Sequence, residues 1–340
     1  MSETTKVTGP GDIMQIFGGV QATGVLTAAL KLGLFAAIDR GAGEADAVAR
    51  SIECPARTTR ILLDATVAIG LVEKKGATYA LTSAASTHLV PGKPQYIGDV
   101  ANIFSSSMIW TELAHLDAVV RNGGTLLTEH AETEKNPFWE MFAQSSAAMA
   151  MPTAQAIAGL LGEHLAKKPK PRVLDVAAGS GIHGYTLAKA VPSVELTQID
   201  WPNVLEKGKA WQDRIGVEGP RVTRIAGSFF DVDWRGPYDV VLLCNVYHHF
   251  DDATCVTITK KAAQALAPGG KLVVEEFLYD PEIANPMGAM FGVLMMAWTR
   301  KGQTYAASDI ARWAKDAGLG AVHVEPSRTG PSSLVIVDKV

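Results

Sequence analysis

The spacing of apolar residues changes character near Pro169. From Val20 to about Leu89, Ala, Leu and Ile recur three and four positions apart, in ATGVLTAALKLGLFAAI, ADAVARSI and RTTRILLDATVAIGLV, and predict helices. VEKKGATYALT follows as a hairpin turning at Lys75-Gly76. A second helical stretch is expected from Ile97 to Leu165, broken by the NGGT turn at Asn122 and restarted at Asn136-Pro137. LAKKPKPR then reads as a basic, proline-bearing linker. From Arg172 onward the candidates are strands: RVLDVAA, VELTQID, RVTRIAG, YDVVLLCN and GKLVVEEFLY, separated by helical segments, with AVHVEP and SSLVIVD at the C-terminus.

Strands alternating with helices predict an α/β domain with a parallel, doubly wound sheet covered on both faces. Such sheets bind ligands beyond the carboxyl ends of their strands, which directs attention to the strand ends. The front half, three helices and a hairpin, has the winged-helix pattern. A chain of 340 residues with 47% hydrophobic and 19% charged residues is too apolar for general disorder. Its formal charge of −4 gives no whole-surface attraction for nucleic acid or anionic lipid. A winged helix invites a DNA-binding reading, but residues 1–95 carry nine Lys/Arg against eight Asp/Glu, and the candidate recognition helix holds only Arg57 and Arg60. A groove reader needs a basic stripe. Cys54, Cys244 and Cys255 are too few and too irregular for a disulfide framework, which fits a reducing compartment. The polar start MSETTKVTGP lacks a secretory h-region, and the most apolar stretch, Met287 to Trp298, is shorter than the roughly 20 residues of a spanning helix. A cytoplasmic protein with no membrane partner is expected.

The strongest chemical signal is Gly179-Ser-Gly-Ile-His-Gly184, a G-x-G-x-x-G loop between a strand and a helix. Asp200 ends the next strand and suits ribose hydroxyls. Both features fit a dinucleotide or S-adenosylmethionine (SAM), since both ligands carry adenosine. Asp175, in the first strand, separates them. Its carboxylate would repel a pyrophosphate but attract the ammonium and sulfonium of SAM. The fourth strand runs into CNVYHHFDD, placing His248 and His249 at the crevice, and LAPGGKLVVEEF turns into the fifth.

The ordered set VLDVAAGSG, TQID, AGSFF, VVLLCNVYHHFDD and LAPGGKLVVEE, behind a helical front half, resembles the plant-type small-molecule O-methyltransferases. These include caffeate and acetylserotonin enzymes and bacterial tailoring relatives of secondary metabolism. The resemblance covers about Gln15 to Val337. It implies a Rossmann-like SAM-binding catalytic domain over 169–340, a helical substrate-capping region over 96–168, and a winged-helix-like dimerisation domain over 1–95 that caps the partner's pocket in a homodimer. It implies that Asp175, Gly179 and Gly181 approach the methionine part of SAM, with Ala177 and Ala178 where relatives carry glycines. Asp200 would hold the ribose, and Trp201 and Phe229 would pack on the adenine. Ser228 stands where many relatives have an adenine-reading Asp, with Asp231 as the alternative. Asn245 would line the methionine pocket. His248 would be the general base that deprotonates the acceptor hydroxyl, and Glu276 the acid that orients it. A second such acid, near Gly302-Gln303-Thr304 in relatives, is missing here. His249 reads as structural and His183 as solvent-facing or at the pocket edge.

Methyl transfer is an in-line displacement, so the protein must align nucleophile, methyl and sulfur in a fairly apolar cavity. Met287, Met290, Phe291, Met295, Met296 and Trp298 are candidates for its wall, as are Phe138, Trp139, Phe142 and Met149. An imidazole, with an unperturbed pKa of about 6.5, suits an acidic phenol at neutral pH. A metal on His248 and His249, with Asp251 and Asp252, is set aside because adjacent histidines at a strand end point in different directions and no Cys or third His stands near them apart from Cys244 on the strand itself. The expected acceptor is a small hydroxylated, aromatic molecule. Transfer to carbon, nitrogen or sulfur, and SAM binding without transfer, are the alternatives.

Overall fold

The computed structural model describes residues 7–134, 136–282, 286–325 and 332–340. The chain forms two compact units, Met1–Ser107 and Met108–Val340.

The first unit is built from helices Pro10–Lys31, Leu34–Asp39, Ala45–Ser51 and Ala56–Ala68, the hairpin β1 (Val72–Lys75) and β2 (Thr78–Leu81), and helix Ser83–His88. Leu34, Phe35, Val48, Leu63, Val72, Tyr79 and Ala85 form its core. The hairpin register pairs Lys75 with Thr78 around Gly76, as the sequence predicts. The first helix differs from expectation: it begins ten residues before Val20 and runs 22 residues. Interior glycines each cost about 1 kcal/mol of helix propensity, so Gly18-Gly19 hid this start. It buries only Thr27 and Ala29, while Ile13, Met14, Ile16, Phe17 and Val20 are exposed. By length and composition it is apolar enough to cross a membrane, which the pattern around Met287–Trp298 gave no reason to expect.

The second unit opens within helix Ser107–Ala114, whose first residue ends the first unit, and continues with helices Leu116–Asn122, Pro137–Ser145 and Ala147–Ala166. Gly123, at φ +78°, ends helix Leu116–Asn122, and the Asn136 side chain caps helix Pro137–Ser145 by accepting from Phe138 N at 3.0 Å. The seven-stranded sheet follows: β3 (Arg172–Val176), β4 (Glu195–Asp200), β5 (Val222–Ala226), β6 (Tyr238–Cys244), β7 (Leu266–Glu276), β8 (Val322–Glu325) and β9 (Ser333–Asp338). The strand order is β5-β4-β3-β6-β7-β9-β8. The first five are parallel. β9 is antiparallel to both β7 and β8, so the sheet is mixed rather than wholly parallel. The connection from Glu325 to Ser333 is too short for a parallel crossover. Part of it, including the Pro326 of the strand candidate AVHVEP, lies outside the described residues. A second correction concerns the segment between β5 and β6, which holds turns and no helix. Gly227, Gly236 and Pro237 interrupt it.

Alternation of side chains builds two cores from one sheet. Leu174, Val176, Ile199, Val241, Leu243, Leu272 and Val274 meet helices Asp252–Ala265 and Ala307–Asp316 on one face. Val173, Leu196, Val240, Leu242 and Val273 meet Ile157, Leu161, Tyr185 and Leu187 on the other. On the first face Trp313 is fully buried, with Tyr247 5.1 Å and Tyr305 4.8 Å away between ring centroids. Truncating such a ring costs about 3–5 kcal/mol. Trp313→Ala should therefore lower the melting temperature of this unit by about 6–20 °C in a calorimetric scan. A shift below about 2 °C would show that the ring is not part of the cooperative core.

Candidate active site

The strand order reverses at β3, with β4 on one side and β6 on the other, and the crevice beyond their carboxyl ends is the switch point of such sheets. The loop leaving β3 is bent sharply. Ala177, Gly179 and Gly181 take φ of +52°, +56° and +74°. For alanine this left-handed conformation costs about 1–2 kcal/mol. Gly181 caps helix Ile182–Ala190, and a Cβ there would collide with the Tyr185 ring and the Gln198 amide. Gly179 faces open space, with nothing within 4 Å of the position a Cβ would take.

Asp175 lies under this loop, buried, and its Oδ2 accepts from Gly184 N at 3.2 Å. Burial pushes its carboxyl up to about 6, against the pull of His183 and Gly184. Asp200 ends β4 and accepts from Gly179 N and Trp201 N, each at 2.7 Å. It is also pushed up to about 6, because burial outweighs those two bonds. The carboxylate of Asp200 thus ties the glycine loop to the end of β4. Trp201, half-buried, starts the helix after β4.

After β5, the Ser228 hydroxyl accepts from Phe230 N at 3.2 Å. The Phe229 ring packs on Phe230 at 4.4 Å and on Phe250 at 5.9 Å. Asp231 is exposed on the same turn, its N–H donating to Ser228 O at 3.0 Å. Asn245 follows β6 at φ +59°, donates from its N–H to Glu275 O at 2.8 Å, and holds a buried side-chain oxygen with no hydrogen-bond partner among the described residues.

His248 and Glu276, both 3% exposed, meet beyond β6 and β7. His248 Nδ1 is 2.6 Å from Glu276 Oε2, while Glu276 Oε1 accepts from Tyr247 N at 2.8 Å and His248 N at 3.4 Å. With Nδ1–H donated to the carboxylate, the lone pair of Nε2 is left free. Phe291 stands edge-on to the His248 ring at 4.8 Å. His249 packs beside Trp139 at 5.4 Å, and burial, helped by neighbouring His248, holds its imidazole well below the usual histidine range. It is therefore neutral at pH 7. Gly302 packs so close to His248 O and the Thr299 hydroxyl that no side chain fits there.

The expected wall is only partly assembled. Phe138 contacts Trp139 at 5.2 Å and Trp298 at 5.0 Å, and Phe291 stacks on Phe277 at 3.9 Å. Met295 is core, whereas Met149, Met287 and Met290 are exposed. Asp251 and Asp252 face away from a metal role: Asp251 caps the following helix and meets Lys301, and Asp252 pairs with Arg312.

His183 overturns its expected place at the surface or pocket edge. It is buried, 2.7 Å from Glu275 Oε2 and close to Cys244. Helix Ile182–Ala190 packs directly on the sheet and turns this residue inward. Burial lowers its affinity for a proton, but Cys244 and Glu275 raise it more, and the net shift is well upward. Glu275 escaped the sequence reading; the signal was its place beside Glu276, since adjacent strand residues face opposite sides.

Residues 115–320 match the family described as an O-methyltransferase domain, and residues 14–91 the O-methyltransferase dimerisation domain. A 3-hydroxy-5-methyl-1-naphthoate 3-O-methyltransferase of Streptomyces sahachiroi is 28% identical over 311 residues, spanning 89% of this chain and 88% of that one. Among solved structures, a protein of Nostoc punctiforme PCC 73102 described as an O-methyltransferase is 32% identical, with a TM-score of 0.90 over 98% of this chain and all of the other. Human N-acetylserotonin methyltransferase, solved in complex with SAM, shares the fold at 20% identity and a TM-score of 0.84, over 99% of both chains.

Because a Cβ at position 181 has no room, Gly181→Ala should displace the glycine loop. The expected result is a loss of about 2–4 kcal/mol of stability in chemical denaturation, from strain and overpacking together. A change under about 0.5 kcal/mol would contradict the packing at this position.

Proposed function

The chain belongs to the O-methyltransferase family, and on that premise we propose that it methylates a hydroxyl of a flat, aromatic small molecule with His248 as general base. It is a SAM-dependent O-methyltransferase. When bound, SAM supplies an electrophilic methyl group on a positively charged sulfur. The residues present fit that cofactor: a glycine loop open at Gly179, two buried-side carboxylates flanking it, and an unpartnered side-chain oxygen on Asn245.

In this reading Asp200 accepts hydrogen bonds from the ribose hydroxyls, using lone pairs left over from Gly179 and Trp201. Asp175, with Gly179 and Gly181 above it, gives the methionine end a negative floor. Trp201, Phe229 and the turn at Ser228 border the adenine. The substrate class rests on the naphthoate relative and on the aromatic surfaces of Phe138, Trp139, Phe291 and Trp298. Tailoring of an aromatic secondary metabolite fits that class.

The observation that carries the reaction is the 2.6 Å contact between His248 Nδ1 and Glu276 Oε2. Glu276 holds the ring and its tautomer, so that Nε2 points its lone pair away from the carboxylate and can take the acceptor's proton. Once protonated, the imidazolium is balanced by the same carboxylate. His249, neutral, adds no second charge. Against a panel of hydroxynaphthoates and related phenols, His248→Gln should lower turnover by about two to four powers of ten with SAM affinity unchanged, and His249→Gln should cost much less. Near-normal turnover in His248→Gln at neutral pH, or a larger loss in His249→Gln, would overturn the assignment.

The dimerisation-domain match and the exposed apolar face of helix Pro10–Lys31 support a homodimer. Phe17 is 71% and Ile16 69% exposed in the single chain, a large unfavourable apolar area unless a second copy covers it. Sedimentation should give roughly twice 36.1 kDa, and Ile16→Glu with Phe17→Glu should give the monomer. A monomeric wild-type protein would refute the dimer.

A further inference from the structure

On the sheet face opposite His248 and Glu276, three side chains from three elements converge beneath the glycine loop. His183 comes from helix Ile182–Ala190, Cys244 ends β6 and Glu275 precedes the last residue of β7. The β6–β7 register places Cys244 directly beside Glu275. An imidazole nitrogen, the thiol sulfur and a carboxylate oxygen lie within 4.8 Å of one another. The residues are 7%, 9% and 3% exposed.

His183 Nε2 and Glu275 Oε2 touch at 2.7 Å, yet they are out of line. They meet as a buried ion pair whose geometry falls short of a hydrogen bond. The other oxygen of Glu275 is fixed by the Ser332 hydroxyl at 2.8 Å, so the carboxylate is already oriented. A nitrogen, an oxygen and a sulfur ligand atom from three elements, buried within 4.8 Å of one another, are what a tetrahedral cation site presents before it is filled.

We propose that His183, Cys244 and Glu275 bind one zinc-type divalent cation, which staples the floor of the glycine loop to β6 and β7. One sulfur, one nitrogen and one oxygen donor suit zinc and disfavour magnesium or calcium, which take oxygen ligands. A dication, a thiolate, a carboxylate and a neutral imidazole sum to zero charge, which a buried site requires. The metal–sulfur bond forms as the thiol proton leaves to solvent, and the imidazole likewise gives up any second proton; no oxidation state changes. Three protein ligands leave a fourth position for water. Without metal, imidazolium and carboxylate form a charge-balanced pair, so the fold does not need the ion.

The test uses the full-length protein, stripped with a chelator and titrated with zinc and with cobalt(II). The expected result is one equivalent per chain and a thiolate-to-cobalt charge-transfer band. X-ray absorption of the zinc form should show one sulfur neighbour at about 2.3 Å. Zinc at about a hundred times its dissociation constant should raise the melting temperature by about 5–10 °C. Cys244→Ser and His183→Asn should lose the band and the thermal shift, whereas Cys54→Ser should keep both. No stoichiometric binding, a zinc spectrum without sulfur, or a band that survives Cys244→Ser and vanishes in Cys54→Ser would leave an ion pair only and overturn the site. The absorption spectrum is read on the unaltered protein, so a zinc shell without sulfur overturns the site even if a variant fails to fold.

Discussion

β7 ends in two adjacent glutamates, and a strand must send them to opposite faces of the sheet. Both are 3% exposed. A buried carboxylate without a partner costs several kcal/mol, so each face must supply a group to meet it. The chain answers both with histidine: His248 reaches Glu276 from the turn after β6, and His183 reaches Glu275 from the first turn of helix Ile182–Ala190. Removing either histidine would strand a charge, at a cost of about 3–5 kcal/mol. This constraint positions the proposed base, His248, on one side and fastens the glycine loop on the other.

The rest of the site hangs from the same geometry. Asp175, Asp200, Asn245 and Glu276 all sit at or just beyond carboxyl ends of parallel strands. Asp200 joins the glycine loop to β4 through two backbone bonds, and Asn245 joins β6 to β7 through one. Two of the four non-glycine residues with positive φ among the described residues lie there, Ala177 and Asn245, the others being Glu53 and Arg235. Strain of this kind persists only where the surrounding structure over-determines it. Here the buried carboxylates and the packed helix do so.

Much of this was legible in the residues. The five parallel strands, the hairpin at Gly76 and the cap at Asn136 follow from local patterns that the fold obeys. What was hidden depends on partners distant in sequence. The direction of β9 is set by its neighbours β7 and β8, not by its own alternation. The inward turn of His183 depends on the helix lying flat against the sheet, which no local period reveals. The start of helix Pro10–Lys31 was masked by Gly18-Gly19, whose low propensity local reasoning weighs heavily. Gly302 was likewise silent in the sequence: only its packing against His248 O shows that no side chain fits there.

In the proposed reaction the Glu276 carboxylate holds His248 with Nδ1 protonated and Nε2 free for the acceptor's proton. That role is tested most directly by the single-turnover methyl-transfer rate of Glu276→Gln, a substitution that keeps the shape but removes the charge. The expected result is a fall of about two to four powers of ten with the SAM dissociation constant unchanged, because the ring loses both its tautomer and the charge that balances its protonated form. A rate within a few-fold of the unaltered enzyme would contradict it.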